Sequence, residues 1–154
     1  MPLNRAFVGR TFAAPEPYEV SREKIREFAE AIGDPHPAYL SREAARALGY
    51  PDVIAPPTFA VVLTGRSGEN PIFDPELGMR YERVVHGSQE FTHHRPIRAG
   101  DVLSVSSRIT DIRDAGPHER LTTVTEIRAA GGELVCTATN VLMSRGTAAV
   151  EVPA

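Results

Sequence analysis

An α+β fold, an antiparallel sheet curled around one apolar helix, is predicted by three observations. The first half of the chain carries two amphipathic helical patterns, Ser21 to Gly33 and Ser41 to Gly49. The second half carries at least four segments with strand patterning, and between the halves the run Phe59 to Leu63 is apolar on every side. Helices and strands are thus segregated instead of alternating, which argues against a doubly wound parallel sheet. At 154 residues, 42% hydrophobic and 24% charged, the chain is sized for one domain, expected to span residues 1–154 with a core from about 5 to 145.

In the first helical pattern Ser21 is the N-cap and Glu23 suits the positive end of the dipole. Lys24 stands where a capping box would need Glu or Gln, but Val20 and Ile25 occupy the staple positions. Ile25, Phe28, Ala29 and Ile32 follow the i, i+3, i+4, i+7 rule before the stop at Gly33. Ser41 to Leu48 repeats this in miniature. A third helix is expected from Pro57, a residue suited to a first helical turn, to Thr64, and its apolar girth predicts burial on all sides. Arg66 to Arg80, rich in Gly, Pro and Asn, reads as a long loop.

Strands are expected over Val84 to His94, Leu103 to Ile109, Leu121 to Ile127 and Leu134 to Met143, joined by turns at 99–101, 114–117 and Gly131-Gly132. A sheet wrapping one apolar helix satisfies both patterns. That is the hot-dog architecture.

Composition narrows the function. A formal charge of -3 without a basic cluster gives no footprint for nucleic acid. The longest apolar run, Phe59 to Leu63, falls far short of the roughly 20 residues of a membrane span, and Met-Pro-Leu-Asn-Arg opens without an apolar signal core, so a cytoplasmic protein is expected. The single cysteine, Cys136, excludes a disulfide framework and reads as a small buried hydrophobe in mid-strand. His93 and His94 are strand neighbours expected on opposite faces, and His86 and His94 would lie roughly 26 Å apart, so no metal cluster follows. Gly65-Arg66-Ser67-Gly68 lacks the spacing of a nucleophile elbow, and no glycine-rich phosphate loop is present. No metal or cofactor is expected.

The informative segment is Ile32-Gly33-Asp34-Pro35-His36-Pro37-Ala38-Tyr39. Taken by itself it reads as a helix stop and a proline-stiffened turn, with Asp34 suited to turn bonding. It also resembles the hydratase loop, approximately Gly-Asp-x-Asn-Pro-x-His, of the MaoC-like (R)-specific enoyl-thioester hydratases and dehydratases. Ile54-Ala55-Pro56-Pro57-Thr58, Val85-His86-Gly87-Ser88-Gln89-Glu90-Phe91 and Arg95-Pro96-Ile97-Arg98-Ala99-Gly100-Asp101 match the same family in order.

The resemblance implies an Asp and a His five positions apart that manage the proton on the thioester α-carbon, and a backbone N–H at the helix start that polarises the thioester carbonyl. Asp34 matches the acid. Tyr39 stands at the histidine position, His36 at the asparagine position, and Pro56-Pro57 where catalytic members carry His-Gly. A phenol of pKa about 10 needs a downward shift of roughly three units to act as a base near pH 7, and proline has no N–H to offer.

These departures resemble the non-catalytic subunit of heterodimeric (3R)-hydroxyacyl-carrier-protein dehydratases of actinobacterial fatty-acid synthesis, as do Phe7-Val8-Gly9-Arg10 through Tyr18-Glu19-Val20-Ser21 and the segment from Asp52 to Phe59. The resemblance implies a subunit that shapes an acyl tunnel while a MaoC-like partner supplies Asp and His. Substrate contacts are then expected from Pro57, Thr58, Phe59 and Val62, with Phe59 and Val62 limiting the tunnel, and from His86 and Gly87, the glycine letting the helix approach its strand closely. The substrate is an acyl-carrier-protein or coenzyme A thioester. Two alternatives stand beside this reading: a self-sufficient homodimeric hydratase or dehydratase using Asp34 with His36 or Tyr39, and a non-enzymatic acyl-thioester-binding protein.

Overall fold

The structure is a computed structural model and describes residues 1–66 and 71–149. Six strands, β1 (Thr11–Ala13), β2 (Tyr18–Glu19), β3 (Val84–His93), β4 (Val102–Ala115), β5 (His118–Ala129) and β6 (Leu134–Ser144), form one antiparallel sheet. Its order is β1-β4-β5-β6-β3, with β2 also on β4. The long strands and their turns follow the predicted places. β5 and β6 meet through Gly131 and Gly132, whose φ values of 93° and 95° need glycine. The two short strands β1 and β2 carry too few residues for a period-2 signal, and only pairing with β4 makes them strands.

Side chains alternate across β4, with Leu103, Val105, Ser107 and Ile109 on the inner face. A register shift between Ile109 and Asp111 then lets Ile112 re-enter the core. The inner face carries two apolar clusters, one around Leu103, Val105 and Ile127, the other around Ile109, Ile112 and Leu121. Between them the buried Ser107 and Thr125 hydroxyls satisfy each other at 2.6 Å.

Helix α1 (Arg22–Ala31) begins as predicted, with Ser21 Oγ accepting from the Lys24 amide at 3.1 Å and Val20 and Ile25 buried. It ends one residue before Ile32, which is therefore 47% exposed instead of continuing the apolar face. Helix α3 (Arg42–Ala47) is capped by Ser41. A four-residue helix α2 (Pro37–Leu40) replaces the plain turn expected there.

The Pro57–Thr64 segment departs from its expectation in two ways. It is not one α-helix but a 3-10 turn, Pro57–Ala60, running into α4 (Val61–Thr64). The tight start follows from the prolines: the Phe59 amide reaches only the Pro56 carbonyl, at 2.9 Å. Nor is it buried on every side. Phe59, Ala60 and Leu63 are fully buried, whereas Pro57 and Thr58 are exposed and Val61 is 46% exposed. One face packs on the sheet and the opposite face is open. Among the described residues no helix is long and apolar enough to cross a membrane.

Candidate functional site

The site is assembled where the chain enters the Pro57 turn. Residues 53–55 lie along residues 97–99, through Ala55 N–H to the Ile97 carbonyl (2.7 Å) and Ala99 N–H to the Val53 carbonyl (3.0 Å). Asp52 anchors the same segment. Its carboxylate accepts from Arg22 Nε and Nη2 (3.0 and 2.8 Å) and from the Val53 amide (2.8 Å), with Arg42 Nε at 3.7 Å. The Arg22 hydrogen bonds, foremost, hold the Asp52 carboxyl at a pKa of about 2. This clasp joins the starts of α1 and α3 to the strand-like approach to Pro57.

A cavity of about 430 Å³ opens there, with Tyr39, Tyr50, Pro57, His93, His94 and Arg95 in its wall. His93 Nε2 donates to the Pro57 carbonyl at 2.7 Å, tying the end of β3 to the helical turn. The other ring nitrogen, Nδ1, is buried without a partner. Arg95 is neutralised by a bidentate pair with Asp101 (2.9 and 2.9 Å) and by Glu133 at 3.1 Å. His93 is half-buried and His94 is exposed. β3 ends at His93, and both residues lie in the wall of the cavity.

Of the predicted catalytic residues, the structure brings Asp34, His36 and Tyr39 to one turn. Asp34 and Tyr39 are half-buried and His36 is exposed. His36 is the N-cap of α2, its Nδ1 accepting from the Ala38 amide at 3.2 Å, and its ring lies 5.3 Å from that of Tyr39. The Tyr39 phenol is pushed above its ordinary pKa, first by burial, then by the nearby Asp34 carboxylate and Tyr50. That direction is opposite to what a base near neutrality requires.

The predicted substrate contacts divide. Pro57 lines the cavity and Thr58 is exposed beside it. Phe59 packs edge-on against Phe28, with ring centroids 5.4 Å apart, in the core cluster that Val62 also joins. His86 and Gly87 are exposed on β3, and at about 3.3 Å per residue lie roughly 20 Å from the His93 end. Gly87 serves a strand, not the helix as expected. A Cβ there would stand 3.2 Å from the Val141 carbonyl oxygen of β6, at the bulge between His86 and Ser88. Among the described residues no group of three or more His, Cys, Asp or Glu could hold a metal. Sequence reasoning missed His93, His94 and Tyr50 as cavity residues. The signal available was Arg95-Pro96 directly after the histidines, since proline ends strand alternation.

Comparison with known proteins bears on this fold and site together. A family profile described as "FAS1-like, dehydratase domain region" matches residues 6–138. The chain belongs to this family. It is 53% identical over 148 residues to a UPF0336 protein of Saccharopolyspora erythraea, covering 96% of this chain and 95% of that one. Among solved structures it is similar to the C-terminally truncated HadBC (3R-hydroxyacyl-ACP dehydratase) complex of Mycobacterium tuberculosis, with a TM-score of 0.81, 32% identity and coverage of 89% and 96% of the two chains. An (R)-hydratase of A. caviae involved in PHA biosynthesis shares the fold at 19% identity, with a TM-score of 0.67 and coverage of 88% and 94%. The MaoC-like resemblance and the hot-dog fold are therefore correct for this chain.

Proposed function

We propose that this chain is an acyl-thioester-binding hot-dog subunit that supports dehydration of (3R)-hydroxyacyl thioesters to trans-2-enoyl thioesters, paired with a catalytic MaoC-like subunit. Dehydration needs a base at the α-carbon and an acid at the departing hydroxyl. The observation that carries the reading is Tyr39, a phenol in the base position with its pKa pushed up. Two further features support it. His36 spends Nδ1 on the α2 cap, and the turn that would polarise the thioester carbonyl opens with Pro56-Pro57, which has no N–H. The likeness to a hydroxyacyl-ACP dehydratase complex supports the substrate class.

Edge geometry supports the partnership. Among the described residues β3 pairs only with β6, so its outer edge leaves backbone donors and acceptors for a second hot-dog sheet. The test is turnover of one (3R)-hydroxyacyl thioester by the chain alone, by the assembled pair, and by the pair carrying Asp34→Asn. The chain alone is expected to be nearly inactive. The Asp34→Asn pair is expected to keep activity within about tenfold, a barrier change near 1.4 kcal/mol. Robust turnover by the chain alone, together with a loss of roughly 10²–10⁴-fold in Asp34→Asn, would instead make Asp34 a working group and the homodimer self-sufficient.

A further inference from the structure

The end of the β3–β6 pair carries a surface that the cavity does not use. Val84 lies opposite Ser144, which brings Arg83, just before β3, against Arg145, just after β6. Arg83 Nη1 donates to the Arg145 carbonyl at 3.3 Å, and Arg145 Nε and Nη2 donate to the Arg83 and Glu82 carbonyls, both at 3.4 Å. These carbonyls fix the guanidinium groups without neutralising them. Glu82 pairs with Arg80 at 2.7 Å and also feels the charge of Arg83, but among the described residues neither Arg83 nor Arg145 makes an ion pair of its own, so the Arg80, Glu82, Arg83 and Arg145 group keeps an excess of positive charge. Nearby, Tyr81 and Phe73 are 76% and 66% exposed and stack on each other with centroids 6.5 Å apart.

Stacked exposed aromatic rings beside arginines in excess of their carboxylate have the composition of an interface hot spot. The charge selects an acidic partner. The high exposure of both rings suits a broad macromolecular surface better than a small ligand, which seeks a cleft. Position adds a second argument. At about 3.3 Å per residue, Arg83 stands roughly 30 Å along β3 from the cavity at His93. Pairing two β3 edges about a two-fold axis runs them antiparallel, so the Arg83 end of one subunit comes beside the cavity end of the other.

We propose that Phe73, Tyr81, Arg83 and Arg145 form the surface on which an acidic acyl-carrier protein docks to present its thioester to the partner subunit's active site. The proposal rests on the subunit reading above. The test uses the assembled complex, with one (3R)-hydroxyacyl chain supplied on acyl-carrier protein and on coenzyme A. R83E/R145E is expected to lower kcat/KM for the carrier-linked substrate at least about tenfold, through KM, and the loss is expected to shrink in high salt. The coenzyme A substrate is expected to change less than about twofold, and R83Q/R145Q to give a smaller loss of the same kind. Equal effects on both substrates, no effect on either, or dissociation of the R83E/R145E complex in sedimentation would overturn the docking surface. If the wild-type complex turns over neither thioester, the function reading fails. Titration of labelled acyl-carrier protein onto wild type and R83E/R145E then still decides docking, and equal affinities overturn it.

Discussion

Replacing Asp52 by Asn removes the charge that clasps the approach to the cavity, and its effect on stability is expected to depend on pH. The folded-state carboxyl titrates at about 2 against an ordinary 3.8. At 1.36 kcal/mol per pKa unit this shift corresponds to about 2 kcal/mol. The Arg22 side chain is 54% exposed, however, so solvent screening reduces the expected contribution to about 1 kcal/mol. Because the folded pKa is depressed, the contribution is complete above the ordinary value and is lost as pH falls through the folded one. By pH 3 roughly half of it is gone. Urea denaturation of wild type and Asp52→Asn at pH 7, 5 and 3 in low salt measures this, since every other carboxylate titrates alike in both proteins. A loss of about 1 kcal/mol at pH 7 that narrows towards pH 3 and in high salt is expected. A difference that stays constant between pH 7 and pH 3, or a variant as stable as wild type at pH 7, would refute the clasp as an electrostatic element.

Phe59→Ala empties a fully buried ring site against Phe28 and is expected to cost about 3–5 kcal/mol in denaturant unfolding. A loss below about 1 kcal/mol would place Phe59 at an already open tunnel instead of in the core. Cys136 is buried and its thiol pKa is pushed up to about 11 by desolvation, so alkylation at pH 8 is expected only after unfolding. Mass spectrometry of the native protein after iodoacetamide treatment reads this directly, and rapid labelling without loss of structure would contradict it.

Sequence alone determined the class and most of the elements of this fold, because those signals are local. Ser21 capping α1 and Gly131-Gly132 closing the β5–β6 turn depend on backbone chemistry within a few residues. The inner-face alternation of Leu103, Val105 and Ile109 depends only on strand period. The Asp34, His36 and Tyr39 cluster was legible for the same reason, being one turn of chain. His36, however, reads as a cap only once α2 is seen to begin at Pro37.

What tertiary structure decided is non-local. The exposed face of the Pro57–Thr64 segment depends on which side meets the sheet, and an all-apolar run does not encode that. The approach of His93 to Pro57 depends on where β3 stops and on residues 53–55 lying along 97–99. Arg83 and Arg145 are 62 positions apart in sequence and become neighbours only through the β3–β6 register, so no scan for basic clusters finds them. Pairing register is set by packing across the whole sheet. Hence the elements could be read from the chain, but the surfaces they build together required the fold.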